Sequence, residues 1–178
     1  MTPTMKAKRA SLEAIKALRE KTSASLNAVR EALESAGGDE AKAFELLRQR
    51  GALIAEKRQG RATGQGRIES YIHHNGRLGA LVEVNCETDF AARTPEFLQF
   101  CRDVAMQVAA TSPRYVRAED VPADARLSAE ERKAACLLEQ PLVKDPKTTV
   151  HDLLTSLIAK TGENVVIRRF VMFTVGDA

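Results

Sequence analysis

An Asn-Gly pair between two segments of β-type sequence is the feature that most constrains the fold of this chain. Residues 68–73 alternate in polarity with a period of two, and residues 78–86 are rich in valine and leucine. Asn75 and Gly76 lie between these two segments. Both residue types accept the positive φ that a type I′ turn requires. The sequence therefore predicts an antiparallel hairpin with a tight turn at Asn75 and Gly76.

The residues that follow this hairpin predict helices and one more strand. Thr94 can cap a helix over residues 95–110, which carries proline at its first position and one apolar face. Capping-box patterns predict two further helices, over 128–138 and 149–160. The β-rich run over 165–175 predicts a third strand. Together these segments predict a three-stranded antiparallel sheet packed with helices.

The first fifty residues instead repeat apolar side chains with a helical period. Breaks at 22–25 and at Gly37-Gly38 divide the segment into three helices, with Asp39 as a cap for the third and Gly51 as its end at the C′ position. Three stripes predict one buried face on each helix: Leu12, Ile15 and Leu18; Leu26, Val29 and Leu33; Phe44 and Leu47. The pattern is typical of a small three-helix bundle.

These segments divide the chain into three parts. We predict an α+β protein with a helical domain over 1–51, a linker over 52–66 that can be helical in its first half, and a core domain over 67–178. The linker region is basic, with Lys57, Arg58, Arg61 and Arg67 among its glycines. Two interpretations stay open, a solvated tether or a phosphate-contacting surface of an RNA-binding or ribosome-associated protein. The lack of interleaved aromatic residues favours the tether.

Charge, cysteine content and hydropathy restrict the class of protein. The net charge of +3 does not require nucleic acid as a partner. The three cysteines are odd in number and form no C-x-x-C pair, which fits a reduced compartment. No apolar run approaches the roughly 20 residues that cross a bilayer, and Met1–Arg9 has no signal-peptide core. We expect a soluble cytoplasmic protein without membrane contact.

Few residues offer catalytic or metal chemistry. His73 and His74 are neighbours on a predicted strand, so their side chains point to opposite faces and cannot share one metal without distortion. A thiol nucleophile at Cys86 or Cys101 with His151 is conceivable, but nothing in the sequence orients such a pair. No glycine-rich phosphate loop precedes a helix. We expect a protein that is not an enzyme and has no cofactor, metal or bound nucleotide of its own.

The end of the second predicted strand has an unusual composition. It runs through an acid, a hydroxyl and a second acid into an aromatic ring, in the segment Glu87, Thr88, Asp89, Phe90, Ala91. One interpretation is a strand-to-helix loop with Phe90 in the core. The other is a protruding wedge whose ring inserts into a partner. The pattern alone does not distinguish them.

Two stretches, Tyr71–Gly76 and Leu81–Phe90, resemble the signature of the elongation factor Ts family. Further similarity follows at positions within 103–116, 138–145 and 162–170. The N-terminal segment is similar to the ubiquitin-associated-like (UBA-like) domain of that family through residues 18–22 and 46–51. Nearly the whole chain is covered.

The resemblance implies a role in translation. It implies that the chain binds elongation factor Tu carrying GDP and promotes exchange of the nucleotide. The matching tip is Thr88, Asp89, Phe90 and Ala91; Asp89 and Phe90 are implied to press beside the switch region of the partner's GTPase domain and dislocate Mg²⁺. Further contacts with the partner are implied for Arg93 in the core domain and for Arg19, Leu26 and Asn27 in the bundle.

Three departures from the family pattern are visible. Ala91 stands where the family usually has valine. The turn over 22–27 reads Thr-Ser-Ala-Ser-Leu-Asn in place of Thr-Gly-Ala-Gly-Met-Met, so a polar Asn27 replaces an apolar contact. Longer members have two core units, whereas this chain has residues for one. Because an open sheet edge needs a partner, we predict a homodimer.

Overall fold

The computed structural model describes residues 10–22 and 24–176, so the predictions for Met1–Arg9, Ser23 and residues 177–178 lie outside the described residues. The predicted α+β fold is confirmed. The helices are α1 (Leu12–Thr22), α2 (Leu26–Ser35), α3 (Glu40–Arg58), α4 (Asp89–Ala92), α5 (Pro95–Thr111), α6 (Ala129–Ala135) and α7 (Val150–Thr161). The strands are β1 (Gln65–Ile72), β2 (Leu78–Cys86) and β3 (Val165–Thr174), and short 3-10 helices cover Ala118–Asp120 and Leu137–Glu139.

The three strands form one antiparallel sheet in the order β1-β2-β3, as predicted. The prediction of a type I′ turn at Asn75 and Gly76 is wrong. The hairpin closes at His73, whose N–H donates to the Leu78 carbonyl over 2.8 Å, which leaves a four-residue loop. This loop needs one left-handed residue, and Gly76 supplies it with φ +67°. Asn75 has a negative φ, and its side-chain oxygen accepts the Arg77 N–H over 3.0 Å.

The core of the molecule lies between the sheet and two helices. The inward side chains of β2 are buried and pack with α5 and α7. The predicted apolar face of α5 is confirmed, with Phe97, Cys101, Val104 and Val108 fully buried. Thr94 caps this helix by accepting the Phe97 N–H over 3.3 Å. The end of β2 and the start of α5 are therefore held against one core.

The N-terminal helices enclose a separate hydrophobic cluster. Ile15, Leu18, Val29, Leu33 and Leu47 are buried in it, as the stripes predict. The three remaining stripe residues are exposed, in contrast to the prediction: Leu12, Leu26 and Phe44. The two leucines are the first residues of their helices, where the neighbouring helices do not cover them. The bundle core is therefore smaller than the apolar pattern suggests.

The predicted end of the third helix at Gly51 is wrong, because α3 continues to Arg58. Gly51 is buried and faces α7, and a Cβ added there would lie 3.5 Å from Cγ2 of Thr155 and 3.8 Å from Cβ of Ala159. The glycine therefore lies inside the helix, next to α7, and does not cap its end. Further along α3, Ile54 packs against the core of the sheet. Bundle and core thus share one helix, while the division into domains stays a prediction.

The remaining predicted helices differ mainly at their ends. The capping box of Ser128 and Glu131 is present, but α6 stops at Ala135 and is followed by the second 3-10 helix. The capping box at Thr149 opens α7, and Gly162 ends it with φ +70°. Over residues 10–22 and 24–176, no helix has both the length and the apolar character needed to cross a membrane.

Candidate functional site

The segment between β2 and α5 contains one turn of helix. Residues Asp89–Ala92 form α4, and Thr88 precedes it as an N-cap with extended backbone. The Thr88 hydroxyl oxygen accepts the Ala91 N–H over 3.2 Å, which satisfies one of the free amide groups at the start of the turn. We call residues Thr88–Ala91 the tip. The four tip residues predicted from sequence are therefore brought together in one small element.

Phe90 is the most exposed large hydrophobic residue among those that the structure describes, with 85% of its surface accessible. The next residues, Ala91 and Ala92, are 6% and 8% exposed and belong to the core. The interpretation of Phe90 as a core residue is therefore wrong. The short turn directs its small side chains inward and its large ring into solvent, which is the geometry of a wedge.

Asp89 lies beside the ring with its charge already paired. Oδ2 of its carboxylate is 2.9 Å from Nη2 of Arg93, four residues later in the chain. Both side chains are exposed, and pairs of this kind contribute about 0–1 kcal/mol. A partner group can therefore replace Arg93 at little cost. Arg93, also predicted as a contact residue, follows α4 as its C-cap and is exposed.

The base of the tip is fixed by a segment that is distant in sequence. Glu163, in the turn between α7 and β3, accepts the Thr88 N–H over 3.0 Å and the Thr88 hydroxyl over 2.6 Å. The sequence analysis does not predict Glu163 as a site residue. Its one signal is its place in the 162–170 stretch that resembles the family. The 75-residue separation hides the contact, since only the fold brings the two segments together.

A second carboxylate, that of Glu87 immediately before the tip, in turn binds the backbone of the segment that contains Glu163. It accepts the backbone N–H of Asn164 over 2.7 Å, and its other oxygen is 3.4 Å from Nη1 of Arg61. The hydrogen bond from Asn164 lowers the pKa of Glu87 below its ordinary value, and the charge of Arg61 lowers it further. The side-chain amide of Asn164 donates from Nδ2 to the Arg61 carbonyl over 2.8 Å. The end of the predicted linker is thus tied to the base of the tip.

Two of the four basic residues of the linker region are paired with carboxylates. Arg61 pairs with Glu87, and Arg67 lies 3.1 Å from Glu69. A cleft of about 1010 Å³ between the bundle and α7 is also rich in lysine and arginine. Several of its cations have acidic neighbours within 4.0 Å, in the pairs Lys21–Glu40, Arg48–Asp152, Arg50–Glu31 and Lys160–Glu96. This arrangement gives little support to the RNA-binding interpretation.

The bundle residues predicted as contacts lie apart from the tip. Arg19, Leu26 and Asn27 are all exposed, on α1 and α2. The helices α1 and α2 pack against each other and against α3, whereas α4 packs against β1, β2 and α5. A partner that contacts both sets must therefore span two separate surfaces.

The thiols of Cys86 and Cys101 are poorly suited to act as nucleophiles. Burial raises the pKa of Cys86 to about 11 and that of Cys101 to about 12, so both thiols stay protonated at neutral pH. Nδ1 of His73 is 3.2 Å from the Tyr71 hydroxyl, which occupies one ring nitrogen. In the described part of the chain, no group of three or more histidine, cysteine, aspartate or glutamate side chains is placed to hold a metal ion.

The outer face of the sheet carries a second exposed apolar surface. Ser70, Leu81 and Val171 are aligned across the three strands, as are Ile72, Gly79 and Phe173. On this face the exposed fractions are 66% for Ile72, 41% for Leu81 and 65% for Phe173. Exposed apolar groups that cluster on one face are a feature of protein–protein contact sites. We call this surface the outer sheet face.

Known proteins resemble this chain over almost all of its length. The family model described as "Elongation factor TS" matches residues 5–135. "Elongation factor Ts" of Carboxydothermus hydrogenoformans is 47% identical, over 92% of this chain and 88% of the relative. The protein of the same name from Rubrobacter xylanophilus is 47% identical over 91% and 97%, and that of Anaeromyxobacter dehalogenans 45% over 94% and 89%. This chain belongs to the elongation factor Ts family.

Proposed function

We propose that this chain is the guanine-nucleotide exchange factor of elongation factor Tu and acts in the cytoplasm during translation elongation. The observation that carries the proposal is the exposed Phe90 ring on a capped and anchored turn. Membership of the elongation factor Ts family supports the identity of the partner. The chain performs no covalent chemistry in this account, because its role is to change the affinity of another protein for its nucleotide.

The tip supplies two separable interactions. Burial of the Phe90 ring in a crevice of the GTPase domain would contribute about 1.5–3 kcal/mol. Asp89 would exchange its exposed partner Arg93 for a donor or cation of the GTPase, near the Mg²⁺ of the nucleotide site. Both interactions are available only where the nucleotide site has opened. The factor therefore binds the nucleotide-free GTPase more tightly than the loaded one.

Thermodynamic coupling turns this preference into exchange. If nucleotide loss strengthens binding of the factor by some ratio, the factor weakens nucleotide binding by the same ratio. Each tenfold weakening requires about 1.4 kcal/mol, which lies within the range that one buried ring supplies. The factor accelerates release without selecting GDP or GTP. The direction of exchange follows from the concentrations of the two nucleotides.

The bundle provides the second contact in this proposal. Leu26 is 48% exposed, and Arg19 and Asn27 are exposed as well. Because this surface is separate from the tip, it should contribute affinity and leave the release step unchanged. Leu26→Ala is expected to raise the concentration of factor needed for half-maximal exchange, with the same maximal rate. A lower maximal rate for this variant would contradict the division of roles.

The outer sheet face suggests a homodimer. The open sheet edge stays a prediction, and the exposed Ile72, Leu81 and Phe173 of the outer sheet face add a surface that a second copy can cover. A second copy that packs face to face would bury them. Sedimentation should then give twice the 19.5 kDa mass of one chain, and Phe173→Asp should give the single mass. A single mass for the unmodified chain at micromolar concentration would refute the dimer.

The exchange function itself is tested by stopped-flow fluorescence. Elongation factor Tu loaded with a fluorescent GDP is mixed with excess unlabelled GDP, with and without the chain. We expect the release rate to rise with the concentration of the chain and then saturate. A release rate that does not change would refute the proposed function. Filter binding of RNA over a range of salt concentrations serves as the control for the RNA-binding alternative.

A further inference from the structure

Two neighbouring segments of the core exchange carboxylate contacts at the base of the tip. Glu87 accepts the backbone N–H of Asn164, and Glu163 accepts the backbone N–H of Thr88. Each segment therefore satisfies a backbone donor of the other. The distances are 2.7 and 3.0 Å. Hydrogen bonds to ionised acceptors are stronger than those between neutral groups, so these two reciprocal hydrogen bonds join the segments firmly.

The second oxygen of Glu163 makes the contact that matters for the tip. It accepts the Thr88 hydroxyl over 2.6 Å, while the same hydroxyl oxygen accepts the Ala91 N–H over 3.2 Å. A hydroxyl has one proton to donate, and its lone pairs are free to accept. Because the proton is directed at Glu163, a lone pair of the oxygen can face the helix start. Glu163 therefore sets the hydroxyl orientation that caps the turn carrying Phe90.

We propose that Glu163 is a positioning residue for nucleotide exchange, whose carboxylate holds Thr88 and thereby fixes the direction of the Phe90 ring. The inference rests on the proposed exchange function and extends it to a residue outside the tip. Glu163 acts through Thr88 and need not touch the partner. A ring held in one direction loses less conformational freedom when it inserts, so more of its burial energy is available to open the nucleotide site.

Glu163→Gln is the direct test, because it keeps the size of the side chain. If its amide oxygen keeps the Thr88 N–H, its amide nitrogen faces the Thr88 hydroxyl and donates to it, so the hydroxyl proton is no longer directed at residue 163. We expect a maximal GDP release rate about tenfold lower at saturating factor, in line with the loss of a charge-assisted hydrogen bond. The half-saturating concentration should stay the same, because the bundle contact is intact.

Asp145→Asn is the matched control. Asp145 also accepts one hydroxyl and one backbone N–H, from Thr148 over 2.7 Å and from Lys147 over 3.2 Å, but it lies away from the tip. The two substitutions should shift the unfolding temperature by similar amounts, and only Glu163→Gln should slow release. If both slow release equally, the effect is one of general stability and the positioning role is overturned.

A double-mutant cycle separates positioning from a direct contact. In a Phe90→Ala background there is no ring to direct, so Glu163→Gln should lower the release rate by less than about twofold. A further tenfold loss in that background would show that Glu163 acts independently of the ring and would overturn the inference. If Glu163→Gln does not fold, Thr88→Val replaces it in the cycle, since it removes the same hydroxyl contact.

The possible failures are distinguishable. If the unmodified chain accelerates release, Phe90→Ala slows it and folded Glu163→Gln does not, the positioning role is wrong and the exchange function stands. If Glu163→Gln changes the half-saturating concentration and leaves the maximal rate unchanged, the positioning role is wrong as well. If the unmodified chain leaves the release rate unchanged, both proposals are wrong.

Discussion

Replacing Gly51 with alanine should stabilise this protein, although glycine at this position suggests a helix end. Gly51 lies inside α3, seven residues before its last residue Arg58, and its φ is not positive. A methyl group there would lie 3.5 Å from Cγ2 of Thr155 and 3.8 Å from Cβ of Ala159. These are ordinary contact distances, so the methyl group fills space between α3 and α7 without a clash.

The expected gain follows from two effects of the same sign. Alanine is favoured over glycine inside a helix by about 1 kcal/mol, and burial of one methyl group adds up to about 0.8 kcal/mol. We therefore expect the free energy of unfolding to rise by about 1 to 2 kcal/mol. With a urea dependence of about 2 kcal/mol per molar, the midpoint would rise by about 0.5 to 1 M. Circular dichroism during urea titration measures this shift.

Gly162→Ala is the matched control, because Gly162 does end a helix with φ +70°. Alanine at such a position costs about 1 kcal/mol or more, so its midpoint should fall. Gly51→Leu should also lower the midpoint, by overpacking the contact between α3 and α7. A fall for Gly51→Ala comparable to that of Gly162→Ala would refute the assignment of Gly51 to the helix interior.

Three further predictions concern charges and thiols. The pKa of Glu87 is lowered in the folded state from its ordinary 4.5, so the contribution of its charge to stability is complete above pH 4.5 and is lost as the pH falls. The difference in unfolding temperature between wild type and Glu87→Gln should therefore vanish in strong acid. A difference that stays constant with pH would contradict this. Cys86 and Cys101, whose pKa values burial raises to about 11 and about 12, should react slowly with a disulfide reagent until urea is added; rapid reaction of the native protein would contradict their burial. Asp39→Ala removes the 3.1 Å contact with the Lys42 N–H and should cost about 1 kcal/mol in urea unfolding; an unchanged midpoint would show that this cap contributes nothing.

Local sequence signals predicted the elements that depend on local chemistry. The strand over 78–86 and the cap at Thr94 were predicted correctly, because periodicity and capping act within a few residues. Gly51 was assigned incorrectly for a tertiary reason, since only the three-dimensional structure shows that α3 continues past the glycine and packs against α7 there. The predicted two-residue turn at Asn75 and Gly76 was wrong, because the length of the loop depends on which residues form the last hydrogen bond between the two strands.

The residues of the tip could be predicted from the sequence, but the exposure of Phe90 and the contact with Glu163 could not. The unusual segment Thr88–Ala91 identified the tip, but its pattern left a buried and an exposed Phe90 equally open. Burial of Ala91 and Ala92 decides between them, and this depends on how α4 meets the core. Glu163 could not be predicted from spacing, because it reaches Thr88 across 75 residues. Long-range polar contacts of this kind leave no periodic signal in a sequence.

The central claim is that the exposed ring of Phe90 drives nucleotide release, and the maximal release rate of Phe90→Ala tests it most directly. The measurement is stopped-flow release of fluorescent GDP from elongation factor Tu at saturating factor. Leu12→Ala is the control, since Leu12 is 83% exposed but lies in the bundle. Loss of about 1.5–3 kcal/mol of burial predicts a rate roughly 10- to 150-fold lower for Phe90→Ala and an unchanged rate for Leu12→Ala. If Phe90→Ala releases GDP as fast as the unmodified chain, the wedge account is wrong.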